Sequence, residues 1–144
     1  MRCEEIRQTM EELTALPVPG PIKIHTRRYP AETTTHRVSG RLVGFKLETD
    51  SDIHVVVAGT SGTTMIVEIP DPGCVGAEKH TEISQARADF IRAFGQPVRQ
   101  FSRAAGAPSL SVVGVLFFDL VHGQVGVAKN GVELHPVLAV SAGH

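Results

Sequence analysis

Residues 37–69, RVSGRLVGFKLETDSDIHVVVAGTSGTTMIVEI, decide the fold. The segment holds three β-prone runs and two turn signals. Residues 37–48 are rich in β-branched and apolar side chains, with Gly40 and Gly44 inside the run. Glycine within a strand marks a bend or bulge. Glu48-Thr49-Asp50-Ser51-Asp52 is a polar turn, and residues 52–58 form a second strand. Gly59-Thr60-Ser61-Gly62 signals a second hairpin, residues 63–69 a third strand, and Pro70-Asp71-Pro72-Gly73 ends it. This is an antiparallel meander opened by a bent strand.

Downstream, Ile83, Ala86, Phe90, Ala93 and Phe94 fall at helical spacing over 82–94. Thr81 is the expected N-cap, and Gly95 and Pro97 stop the helix. Residues 110–118, LSVVGVLFF, read as a buried strand. A glycine-rich connection spans 122–131, and 132–140 form the last strand. The predicted fold is mainly β, with one internal helix and an N-terminal helix. Its β-β-β-α-β-β order resembles that of a small five-stranded OB-fold-like barrel, with SH3-like barrels and small α+β folds as the rival readings.

Upstream, residues 2–16 predict an amphipathic helix with Ile6, Met10 and Leu13 on one stripe. Pro17, Pro19 and Pro21 end it. The expected organisation is an N-terminal helix and Pro-rich linker over 1–21, then a barrel domain over 22–144. The helix stripe either docks on the barrel or serves as a contact between protein chains.

The chain has 144 residues, enough for one domain with its own core. No apolar run reaches the length of a membrane span. The charged N-terminus lacks a signal-peptide pattern, so the expectation is a cytoplasmic protein without membrane contact. Cys3 and Cys74 show no disulfide-framework or zinc spacing.

The segments SGRLVGFKLETDSDIHVVVAG, TMIVEIPDPGCVG, ARADF and FFDLVHGQVGVAKNGVELHPVL resemble a family of small uncharacterised bacterial proteins. The similarity covers most of residues 31–140. It implies one recurring domain and brings no activity with it.

Period-two alternation sorts the strand faces. Ile53, Val55 and Val57 face the core, as do Met65, Val67 and Ile69, and Val132, Leu134, Leu138 and Val140. Asp52 and His54, Glu68, and Glu133 and His135 then share the outer face. The third barrel strand lies between the second and the fifth, which brings these groups side by side. Asp119 and His122 approach the same rim. Mixed imidazole and carboxylate donors suit a divalent transition metal that activates water, or a general acid–base pair. A solvated polar face with cross-strand pairs gives the same pattern. No other cofactor is implied.

The net charge of -1 hides an asymmetry. Residues 23–46 hold Lys23, Arg27, Arg28, Arg37, Arg41 and Lys46 against Glu32, six minus one, or +5. The other residues hold eight basic and fourteen acidic side chains, or -6. OB barrels bind single strands through a basic groove and aromatic platforms. Here the basic stretch is present, but Tyr29 and Phe45 are the only aromatics in it. The Gly123–Gly131 segment lacks phosphate-loop spacing. No serine sits in a nucleophile elbow.

The leading expectation is a binding module, with single-stranded nucleic acid as the partner that the fold suggests. The alternatives are a metal-dependent hydrolase built on the His/carboxylate cluster and a protein-assembly domain that forms a homo-oligomer. Binding ranks above catalysis because catalysis needs geometry that the sequence does not contain.

Overall fold

The computed structural model describes residues 5–7, 9–17, 35–74, 79–119, 121 and 123–143. Lys23, Arg27, Arg28 and His122 lie outside the described residues, as do Cys3 and most of the linker. In chain order the elements are β1 (Glu5–Arg7), α1 (Met10–Thr14), β2 (Thr35–Leu47), β3 (Ile53–Ala58), β4 (Thr64–Ile69), α2 (His80–Phe94), β5 (Ser102–Arg103), β6 (Ser109–Phe118) and β7 (Val132–Ala142).

The barrel is closed by one long strand that pairs twice. The first half of β2 runs antiparallel to β6, with Thr35 opposite Val115 and Arg41 opposite Ser109. Its second half runs antiparallel to β3, with Arg41 opposite Ala58 and Leu47 opposite Ile53. The register shifts between Leu42 and Gly44, where the chain bulges. At Gly44 a Cβ would sit 2.5 Å from the carbonyl oxygen of Ser102, so glycine lets β5 cross over the bend. From β2 the sheet continues through β3, β4, β7 and β6 and returns to β2. The β4–β7 contact is parallel and the other barrel pairings are antiparallel. With α2 between β4 and β6, this is a closed five-stranded barrel of the OB-fold-like order that the meander predicts.

The core follows the predicted alternation in β3 and β4: Ile53, Val55, Val57, Met65, Val67 and Ile69 are all buried in it. Helix α2 plugs one end of the barrel with Ile83, Ala86 and Phe90. Phe90 meets Phe45 edge-on at 4.9 Å. Burying a side chain of this size contributes roughly 2–3 kcal/mol.

Three local expectations are corrected. The N-terminal helix does not run over 2–16 but only from Met10 to Thr14, after the short strand β1, which pairs parallel to β2. Its start is fixed by a capping box, in which Glu12 N–H donates to the Thr9 hydroxyl and Thr9 N–H donates to the Glu12 carboxylate. Met10 and Leu13 are fully buried in the barrel's own core, so these two residues of the stripe dock on the barrel. Helix α2 begins at His80, with Lys79 and not Thr81 at the cap position. In β7, Val137 and not Leu138 enters the core, because the β6–β7 register shifts on both sides of Gly114. Period two fails wherever a bulge adds a residue.

Among the described residues, no helix is long and apolar enough to cross a membrane.

Candidate functional site

Strand pairing assembles the polar residues. In the β3–β4 ladder His54 stands opposite Glu68, and in the β2–β3 ladder Lys46 stands opposite His54. Glu48 lies two residues beyond Lys46, just past the end of β2. The parallel β4–β7 contact sets Glu133 opposite Ile66, one alternation before Glu68. Antiparallel and parallel registers together bring three strands' outer-face residues to one place.

One of the two readings of this face in the sequence is a solvated polar strip. In the structure it is buried: His54 is 3% exposed, Glu133 4% and Glu68 9%. The cause is the β6–β7 connection, which lies over the outside of β3 and β4. The His54 ring is held through Nε2 by the carbonyl oxygen of Val125 at 2.9 Å. Gly126 packs on Val56, where a Cβ would overlap both γ-methyl groups. Val56 and Ile66 are therefore buried too, although they point away from the barrel interior.

Under this roof lies a pocket of about 270 Å³ lined by Lys46, Glu48, His54, Ile66, Glu68, Asp119, Gln124, Val125 and Glu133. A carbonyl oxygen only accepts, so His54 donates its Nε2–H to Val125, and Nδ1 faces the pocket. That nitrogen is 3.9 Å from Glu48 Oε1. One donor atom each from Glu48, His54 and Glu68 lies within 4.8 Å of the others. Glu68 Oε2 is buried and has no hydrogen-bond partner. Burial, and then the adjoining Glu48 carboxylate, push the Glu68 pKa up to about 11. Two carboxylates have nothing to donate to each other, so only a proton or a cation between them relieves the contact.

The remaining expected residues are split. Burial raises the Glu133 pKa, opposed by a 3.1 Å contact with His135 Nδ1. His135 is half-buried, edge-on to Phe117, and does not line the pocket. Asp119 lines the pocket. Asp52 does not, because its carboxylate accepts from Asp71 N–H at 3.0 Å and serves the turn after β4. Burial is also the main cause of its raised pKa. Glu48 and Gln124 were not among the expected residues. Glu48 was findable, because extending the hairpin register beyond the Lys46–His54 pair places it on the same face.

The loop that carries Glu48 is tied to α2. Arg87 donates to Ser51 O at 2.7 Å, Pro70 O at 3.2 Å and Ile69 O at 3.3 Å.

Of the basic candidates, only Arg37, Arg41 and Lys46 are among the described residues, and these three do not form one surface. Lys46 belongs to the acidic pocket. Arg37 and Arg41 flank a separate groove of about 640 Å³, between α1 and the β3–β4 hairpin. Glu11 and Glu12 line it as well. Glu11 accepts from the Ser61 hydroxyl at 2.8 Å, which holds its pKa below the ordinary value. Among the described residues, no aromatic ring lines the groove.

No family model and no curated protein matches the chain. Among solved structures, it is similar to a chain named as an aspartyl-tRNA synthetase from Leishmania major Friedlin. The identity is 12% and the TM-score 0.47 over 89% of this chain. This chain spans 23% of that chain's length, and a likeness of this degree carries no argument about activity.

Proposed function

We propose that this protein is a binding module, an OB barrel whose roofed acidic pocket takes a small cation. One observation carries the reading: the β6–β7 connection closes over the β3–β4 face and leaves the carboxylates of Glu48, Glu68, Asp119 and Glu133, against the single ammonium group of Lys46, lining one pocket of about 270 Å³. OB barrels take oligonucleotides on this face, between the first-hairpin loop and the loop joining the last two strands. Here both loops frame carboxylates, which repel phosphates, and one loop covers the face.

A single-stranded nucleic acid would instead use the groove beside Arg37 and Arg41. Two guanidinium groups share that groove with two carboxylates, and among the described residues no aromatic platform of the kind that single strands stack on lines it. The cation reading is therefore the better supported one.

The test is a pair of measurements on the full chain. Fluorescence anisotropy with a labelled oligonucleotide at low salt is expected to show no binding. A thermal-shift panel of alkylammonium, polyamine and divalent metal ions is expected to raise Tm for at least one cation, and the rise is lost in Glu68→Gln. Tight oligonucleotide binding, or no response to any cation, overturns the reading.

A further inference from the structure

We propose that Glu48, His54 and Glu68 hold a divalent transition-metal ion through His54 Nδ1 and one oxygen of each carboxylate. The inference rests on the reading of the pocket as a cation site and names its occupant.

Three independent features support it. The first is the donor set. One imidazole nitrogen and two carboxylates suit ions such as zinc, manganese or iron(II), whereas calcium and magnesium favour all-oxygen shells. The three donor atoms lie within 4.8 Å of one another. Ligands at about 2.0–2.2 Å from one ion stand roughly 3–4 Å apart, so a small closure completes the site.

The second feature is the imidazole's orientation. Ligand histidines donate the other ring N–H to a carbonyl or carboxylate, which fixes the tautomer and aims the lone pair. His54 does this: Nε2 is held by Val125 O at 2.9 Å, and Nδ1 is turned toward Glu48. The third feature is Glu68. Its side chain is nine-tenths buried, it lines the pocket, and its Oε2 has no hydrogen-bond partner. A buried carboxylate oxygen without a donor is costly unless a proton or a cation meets it, and a metal ion would meet His54 Nδ1 and Glu48 as well. The pairing of Glu68 with His54 is set by backbone register, so the site does not depend on chance side-chain conformers.

The experiment uses full-length protein stripped of metal with a chelator, titrated calorimetrically with zinc, manganese and magnesium chlorides and with an alkylammonium salt. Zinc or manganese is expected to bind one ion per chain, with magnesium about tenfold weaker or worse. His54→Ala and Glu68→Gln are each expected to weaken binding by about tenfold or more. In the wild type, zinc is expected to shift the His54 Nδ1 resonance in imidazole nitrogen spectra. That readout stands even if His54→Ala does not fold.

If the alkylammonium ion binds and no transition metal does, this assignment fails and the cation pocket stands. If nothing binds, both fail. Undiminished metal binding in folded His54→Ala and Glu68→Gln places the ion elsewhere and overturns the proposal. An unmoved Nδ1 resonance on zinc saturation also overturns it.

Discussion

His54 Nε2 lies 2.9 Å from the backbone carbonyl oxygen of Val125, so a strand residue is bonded to the loop that covers it. This bond does two things. It fixes the loop over the β3–β4 face, and it leaves Nδ1 for the pocket. The roof depends equally on Gly126, which has φ +79° and presses on Val56. Gly126→Ala adds a left-handed backbone penalty to an overlap with Val56. The expected loss is about 1–3 kcal/mol in urea unfolding, with faster amide exchange over the roof loop. Unchanged stability and exchange would mean that the loop does not need this contact.

Glu68 makes the metal-free protein pH-sensitive. Its folded pKa of about 11 lies far above the ordinary carboxyl value of 4.5. Between these values the folded state holds a proton that the unfolded state has released. Stability from this group is therefore full below pH 4.5 and falls as pH rises toward 11. Glu68→Gln removes that slope. The variant is expected to be the more stable at pH 8, by up to about 1.4 kcal/mol for each pH unit above 4.5, and to match the wild type near pH 4. Urea titrations of metal-free protein at both values check this. Parallel pH profiles in the two proteins would contradict it.

Arg87 is expected to act on the pocket from outside it. Its guanidinium ties α2 to the backbone oxygens of Ser51, Pro70 and Ile69, and so steadies the turn that follows Glu48. Arg87→Lys keeps the charge but loses the forked geometry. The expected cost is about 1–3 kcal/mol, with a weaker cation response at the pocket. Thermal unfolding with and without the cation separates the two effects.

Asn130 holds the N-terminal helix to the barrel. Its amide donates to Leu13 O at 2.9 Å and Leu16 O at 3.2 Å, and its Oδ1 accepts from Val132 N–H at 3.1 Å. Asn130→Asp replaces the donor with a buried charge facing two carbonyl oxygens. A loss of about 3 kcal/mol or more is expected, and denaturant unfolding reads it directly. The Asn130-Gly131 dipeptide reads in sequence as a turn. Its second role, tying down Leu13 and Leu16, lies more than a hundred residues away in the chain and has no local signal.

The sequence determined the barrel. Glycine-bent 37–48, the two short hairpins, the helix stopped by Gly95 and Pro97, and the apolar run 110–118 are local patterns. Local patterns set strand order and the inward faces of β3 and β4. It also selected the residues of the pocket in part, because His54 and Glu68 alternate away from the core whatever the surroundings. What sequence could not determine was whether that face meets water. The distinction between a solvated polar strip and a buried carboxylate pocket rests on one loop lying across two strands, held by His54 to Val125 and by Gly126 against Val56. Those contacts join positions some seventy residues apart, and no periodicity reports them. Tertiary structure alone decided the burial, and burial gives Glu68 its raised pKa and leaves its Oε2 without a partner.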